Sequence, residues 1–210
     1  MCFHERTQCV VIWGIAMTIA GCILAGGAGV RMGGQDKGLL PWNGQPLIET
    51  VMARFLPQVD TLVVSANRNL AQYQKYGYPV LPDIAEGYAG PLAGIEQAML
   101  HIHGVHALLA VVPCDAPLLP SDLVARLHHA LQQSAADIAY AVTAGGDQPV
   151  FSLIRAALLP SLSDYLRSGE RKVQRWYARC PSIGVPFDDQ PNAFTNINTP
   201  EMLPTTTPAA

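Results

Sequence analysis

The run Ile23-Leu24-Ala25-Gly26-Gly27-Ala28-Gly29-Val30-Arg31-Met32-Gly33-Gly34-Gln35-Asp36-Lys37 constrains this chain more than any other stretch. Apolar residues stop at Ala25 and six of the next nine are Gly or Ala, so a buried strand empties into a loop whose backbone lies open. Glycine tolerates positive φ and has no Cβ, which lets successive N–H groups converge on a phosphate oxygen. Arg31 and Lys37 add positive charge nearby. The ligand this pattern implies is a polyphosphate.

Spacing separates the kinds of phosphate loop. A Walker A loop needs G-x-x-x-x-G-K-[ST], whereas Lys37 follows Asp36 and precedes Gly38, so that reading fails. Gly27-Ala28-Gly29 imitates part of a dinucleotide fingerprint, but that motif expects an acid closing the second strand to hold a ribose. Here the second predicted strand closes on Ser65, which disfavours an oxidoreductase.

A chain of 210 residues suits one domain, which at this size buries about 70% of its unfolded surface. The net charge of −3 supplies no basic field for nucleic acid, so the phosphate ligand is expected to be small and locally held. Five cysteines, odd in number and without a C-x-x-C pair, argue against a disulfide framework or structural zinc and favour a reducing cytoplasm. Residues 10–25 carry no charge, but the run is shorter than the roughly 20 residues of a membrane span and leads straight into the glycine-rich loop. Cleavage of a signal peptide near Ala20 or Ala25 would destroy the first strand. No membrane association is expected.

The hydrophobic pattern predicts strands over 19–25, 60–65, 107–112 and 137–142, and helices from Pro46 to Phe55, over 69–76, from Gly90-Pro91-Leu92 to His101, and from the Pro120-Ser121-Asp122 cap to Gln133. Gly145-Gly146 reads as a turn into an apolar run over 149–154. Residues 174–179 read as helix, and Ile183-Gly184-Val185 and 194–197 as extended. Residues 82–90 read as a loop and 204–210 as a disordered tail. Such alternation argues an α/β fold with a parallel, doubly wound sheet.

Open α/β sheets bind ligands beyond the carboxyl ends of their strands, where Pro113-Cys114-Asp115 falls. A carboxylate following six apolar residues is costly to bury alone, and magnesium bridging nucleotide phosphates would supply its partner. Lys37 serves as a point charge for the triphosphate; at about 4 Å and an effective dielectric near 20, such a pair is worth about 4 kcal/mol before desolvation. Arg31 is expected to face the same phosphates or a second substrate, and Asp36 to do no more than pair with Lys37. The helix N-terminus at Gly90 to Gly94 can receive an anion. Asn196 and Asn198 alternate on an extended segment, which puts both amides on one side. His101, His103 and His106 lack ligand spacing and read as surface.

The pattern L-A-G-G-x-x-x-R-M-G-x-x-x-K resembles the loop of molybdenum cofactor guanylyltransferases, the MobA family of nucleotidyltransferases. Asp36-Lys37-Gly38-Leu39-Leu40, Asn43-Gly44-Gln45-Pro46-Leu47, Ala66-Asn67-Arg68, Gly90-Pro91-Leu92-Ala93-Gly94, Gly169-Glu170-Arg171 and Asn196-Ile197-Asn198-Thr199-Pro200-Glu201 follow in the family's order, from about Ile19 to Leu203. The resemblance implies a single-domain, Rossmann-like three-layer sandwich with a mostly parallel sheet over residues 17–203. Residues 1–16 would be an upstream extension outside the fold, Met17 being the natural start.

The resemblance further implies transfer of GMP from Mg-GTP to the terminal phosphate of molybdenum cofactor, with Asp115 carrying Mg²⁺. Leu24, Ala25, Gly26 and Gly27 would lie along the nucleotide and Asp83 against the base. Ser65 stands where the family commonly has Asn, so its contact is shorter or water-mediated. Gly90, Gly94, Lys172, Asn196 and Asn198 would serve the pterin substrate or the metal, Lys172 lacking the bidentate geometry of the commoner Arg. The implied partners are GTP and molybdopterin, with transient contact to cofactor-delivering proteins and molybdoenzymes, and the enzyme is expected to be a monomer. Three rivals stay open: a cytidylyltransferase for the same cofactor, a nucleotidyltransferase for another small phosphate, and a non-catalytic cofactor carrier.

Overall fold

The computed structural model describes residues 18–27, 35–83, 90–199 and 202. The expectations for the extension over 1–16, for Arg31, for most of the 82–90 loop and for the tail over 204–210 lie outside the described residues. β1 (Ile19–Leu24) is apolar without alternation because both of its faces are covered: Ile23 joins one core, and Ala20 and Cys22 the other. The chain continues through a small hairpin, β2 (Pro41–Trp42) and β3 (Gln45–Pro46), into α1 (Leu47–Phe55), then β4 (Thr61–Ser65), α2 (Leu70–Gln74) and β5 (Val80–Leu81). α3 (Pro91–Ile102), β6 (Leu108–Pro113), α4 (Leu123–Gln132), β7 (Ile138–Thr143) and β8 (Gly146–Arg155) follow, and α5 (Leu159–Arg167), α6 (Val173–Tyr177) and β9 (Ser182–Pro186) complete the domain.

Seven strands form one sheet in the order β5-β4-β1-β6-β8-β7-β9. The pairs β1·β4, β1·β6, β4·β5 and β7·β9 are parallel, whereas β8 runs against both β6 and β7. The expected mostly parallel three-layer sandwich is therefore present, with one strand, β8, reversed. Its cause is local: Thr143 pairs with Gly146, leaving only Ala144-Gly145 as the connection, far too short for a crossover helix.

One core holds Ile23, Leu62 and Val64 under Ile48, Val51 and Phe55 of α1 and Leu127 of α4. The other holds Cys22, Val63 and Val111 under Leu92 and Ile95 of α3, Leu162 and Tyr165 of α5 and Trp176 of α6. The pattern reading assigned nothing to α5, whose Leu159, Leu162 and Tyr165 repeat at helical spacing and are buried together. Residues 194–197, expected to be extended, join no strand; residues 191–194 form a turn and the segment then runs as a loop.

Candidate active site

The carboxyl ends of three strands are laced by backbone bonds, Ala25 N donating to Ser65 O at 2.7 Å and Cys114 N to Leu24 O at 3.0 Å. β1 thus delivers the glycine-rich loop, and β6 delivers Asp115, to one edge. Asp115 is only 8% exposed. Its burial is offset by Lys37, which opens a short 3-10 turn (Lys37–Leu39) and places Nζ 2.9 Å from Asp115 Oδ2. Lys37 also donates to Asn198 Oδ1 at 2.6 Å, and Ile197 N donates to Asp115 O at 2.8 Å. One cation therefore gathers residues from three separated segments.

Asp36 does not pair with its neighbour Lys37. Its carboxylate is buried and accepts from the Tyr73 hydroxyl and from Asn69 Nδ2, and burial holds the Tyr73 hydroxyl protonated, far above the usual phenol range. Asn69 adopts φ +51, a conformation asparagine tolerates better than most residues. Gly38 must be glycine for the same packing, since a Cβ there would stand 2.6 Å from Tyr73 Oη. Arg68 Nη2 donates to Gly27 O at 3.1 Å and to Gln35 O at 3.3 Å, bridging the two described flanks of the glycine-rich loop.

On the β4 side, Asn67 and Asp83 bond reciprocally: Asn67 Nδ2 to Asp83 Oδ2 and Asp83 N to Asn67 Oδ1, each at 2.8 Å. Asp83 Oδ1 is buried with no hydrogen-bond partner among the described residues, and burial pushes its carboxyl above the usual range against the lowering effect of Asn67. Gly26 lies alongside, an added Cβ falling 3.0 Å from Asn67 Nδ2. Ser65 is buried, and Gly94 of α3 approaches it so closely that a Cβ would meet Ser65 Oγ at 2.3 Å and Leu24 Cδ2 at 3.0 Å. Gly94 is thereby turned into the helix–sheet packing beside Leu24 and Ser65.

Gly90 takes φ +76 at the N-terminus of α3, and its missing Cβ would lie 3.9 Å from Arg171 O, which sets Lys172 near that terminus. Lys172 is exposed, and its carbonyl accepts from the Tyr165 hydroxyl at 2.9 Å. Among the described residues no hydrogen bond joins Lys172 to Lys37, Asp115 or Asn198. Nor do the two asparagine amides act alike: Asn198 reaches Lys37, while Asn196 Oδ1 is buried with no hydrogen-bond partner among the described residues.

Among the described residues no group of three or more His, Cys, Asp or Glu side chains could cage a metal. The hard oxygens of Asp115 and Asn198 nevertheless suit Mg²⁺, which binds through one or two carboxylates plus substrate phosphates and keeps several waters. They fit an ion that arrives with a triphosphate. Cys22, Cys114 and Cys180 are free thiols, and burial raises the pKa of Cys114 well above its ordinary value. No described helix is long and apolar enough to cross a membrane.

The MobA-like NTP transferase domain matches residues 21–183, which contain Lys37, Ser65, Asp83 and Asp115. The chain belongs to the MobA-like NTP transferase family. Similar members include the molybdenum cofactor guanylyltransferases of Shewanella sp. (strain MR-4), 46% identical over 89% of this chain and 94% of that one, and of Shewanella loihica, 48% identical over 85% and 90%. The molybdopterin-guanine dinucleotide biosynthesis protein A of Archaeoglobus fulgidus shares the fold, with a TM-score of 0.71 at 23% identity over 87% of this chain and 93% of that one. In this MobA-like transferase, sequence reasoning gave no role to Arg68, Asn67 or Tyr73. Ala66-Asn67-Arg68 directly follows the end of β4, at the ligand edge, which is the signal that could have found two of them.

Proposed function

We propose that this chain transfers GMP from Mg-GTP to the terminal phosphate of molybdenum cofactor, forming the guanine dinucleotide and releasing pyrophosphate. The observation that carries this reading is the identity of 46% to 48%, over most of both chains, to relatives named molybdenum cofactor guanylyltransferase. The Lys37–Asp115–Asn198 cluster supports it, because it offers a preorganised cation and hard oxygen donors at the ligand edge of the sheet. Bound Mg²⁺ would supply charge neutralisation at the phosphates, with Asp115 and Asn198 as the protein's oxygen donors.

An oxygen of the acceptor phosphate attacks the α-phosphorus, the bond from that phosphorus to the bridging oxygen breaks, and pyrophosphate departs with the bond electrons. Lys37 holds the charge that develops on it. No side chain need act as nucleophile, since alignment and charge stabilisation suffice for phosphoryl chemistry of this kind. Cys114, kept protonated by burial, packs beneath the site.

Guanine presents adjacent N1–H and N2–H₂ donors, and the buried Oδ1 of Asp83, which has no hydrogen-bond partner among the described residues, is an acceptor suited to that edge. Cytosine has no such pair. Incubation with molybdopterin, Mg²⁺ and either GTP or CTP tests the reading: pyrophosphate release with GTP supports it, while release with CTP alone, or with neither nucleotide, overturns it.

A further inference from the structure

A cavity at the same sheet edge is lined by none of Lys37, Asp83 or Asp115. It encloses about 250 Å³ between the β7–β8 hairpin and the loop after β9, and its walls include Thr143, Gln148, Asp188, Phe194 and Thr195. Because β7 and β9 point the same way as β6, this cavity opens on the carboxyl edge that carries Asp115. It lies across that acid from the Asp83 side: β5, β4 and β1 are to one side of β6, and β8, β7 and β9 to the other.

The cavity is built into the fold. The β7–β8 ladder slips between Tyr140 and Ala141, their partners on β8 jumping from Ser152 to Gln148. The looped-out residues include Pro149, which has no N–H to lose, and Tyr177 Oη braces the bulge at 2.9 Å from Pro149 O and 2.8 Å from Ser152 Oγ. β8 meets β6 only from Ser152 onward, so the hairpin tip runs beyond the end of that pairing. Phe194 is fixed as a wall by edge-to-face contacts with Phe151 and Phe187, ring centroids 4.8 and 5.2 Å away.

We infer that this cavity seats the fused-ring heterocycle of the acceptor substrate, with Asp188 and Gln148 reading its amino-oxo pyrimidine edge. The inference rests on the guanylyltransferase reading above and assigns the far end of its second substrate. Chain geometry sets the reach: Thr195 lines the cavity and Asn198 touches Lys37, and three extended residues span at most about 10 Å. An acceptor with its phosphate at Asp115 and its rings at Thr195 needs a linker of that order. The lining chemistry agrees. An aminopyrimidinone edge presents adjacent N–H donors and an oxo acceptor, matched by the exposed carboxylate of Asp188, the hydroxyl of Thr195 and the Gln148 amide, whose Nε2 lies 3.4 Å from Thr143 Oγ1 and keeps a second N–H to donate. Neighbouring Asp189 is already engaged by Arg126, which leaves Asp188 as the acid on the cavity wall. The volume lies below the range of about 300–1,000 Å³ for drug-sized ligands, room for a ring system without a nucleotide beside it.

Asp188→Asn and Gln148→Leu, both at the hairpin and loop surface, test this by steady-state kinetics with molybdopterin varied at saturating Mg-GTP and by calorimetry with Mg-GTP alone. The expected result is a molybdopterin KM raised about tenfold or more in Asp188→Asn, the scale of a lost charge-assisted hydrogen bond, and a smaller rise in Gln148→Leu, with GTP affinity within about twofold of wild type. A wild-type molybdopterin KM in both variants overturns the inference and leaves the guanylyltransferase reading intact, as does a loss confined to GTP binding. Absence of turnover in the wild-type protein itself would remove that reading and this one together.

Discussion

Lys37 stands 2.9 Å from Asp115 and donates from the same ammonium to Asn198 at 2.6 Å, so the cation proposed to meet the leaving phosphates is also the partner of the buried acid. Removing either partner strands the other. Asp115→Ala and Lys37→Met should each lower pyrophosphate release at least about a hundredfold, the scale for losing one preorganised electrostatic element. Lys37→Arg keeps the charge but not its compact geometry and should recover only part of the rate. Turnover within tenfold of wild type in Asp115→Ala would contradict the assignment.

Asp83 carries opposite consequences for stability and for binding. Burial raises its folded-state pKa above the ordinary 3.8, so the folded protein holds that proton more tightly than the unfolded chain does. The associated stability is fully present below 3.8 and is lost as pH rises through the raised value. Asp83→Asn should therefore melt no lower than wild type at neutral pH while weakening GTP binding about tenfold to a hundredfold. In wild type, GTP affinity should fall on acidification through the same window. Thermal denaturation and calorimetry at several pH values check both signs.

Gly94 and Ser65 form a steric pair. A Cβ on residue 94 would lie 2.3 Å from Ser65 Oγ, so Gly94→Ala should cost about 1–3 kcal/mol through overpacking. Removing the hydroxyl as well, in Ser65→Ala with Gly94→Ala, should recover part of that loss. A double-mutant cycle by urea denaturation measures the coupling, and strict additivity would count against direct contact.

Arg68 spans Gly27 O and Gln35 O. Its truncation in Arg68→Ala should raise the KM for GTP several-fold and lower kcat less, because the loop flanks lose a tie while Lys37 and Asp115 keep theirs. Each bond is exposed, so the effect sits at the low end of about 0.5–1.5 kcal/mol per bond. Unchanged kinetics would show that the flanks hold without it.

Tyr73 donates to the buried Asp36 carboxylate. Tyr73→Phe leaves Asn69 as the remaining side-chain donor to Asp36 among the described residues and should cost about 1–3 kcal/mol of stability. Chemical denaturation of the variant reads this directly.

Much of this architecture could be read from apolar runs. β1 and β6 are covered on both faces, which erases alternation and leaves continuous stretches ending at Ala25 and at Pro113-Cys114-Asp115. Direction was harder: a fully buried strand has the same pattern whichever way it runs, and only the two-residue Ala144-Gly145 link marks β8 as reversed. α5 escaped notice because its serines and Pro160 dilute a stripe formed by Leu159, Leu162 and Tyr165. In the site, Lys37 was legible as charge beside a glycine-rich loop and Asp115 as a carboxylate following an apolar run. Asn198 was placed beside Asn196 by alternation and given a ligand by family likeness, whereas the loop it occupies brings it alone to Lys37. Arg68 and Tyr73 act on a carbonyl pair and on a buried carboxylate, partners that exist only once the chain is folded.

The contact between Asn198 and Lys37 joins positions 161 residues apart, so this corner of the site closes only after the whole sheet between them has been synthesised. Every described strand of the sheet is complete by Pro186, yet Phe187, Phe194 and Ile197 beyond it are buried, so a protease nick between Pro186 and Asn198 should loosen the core and the Lys37 contact together.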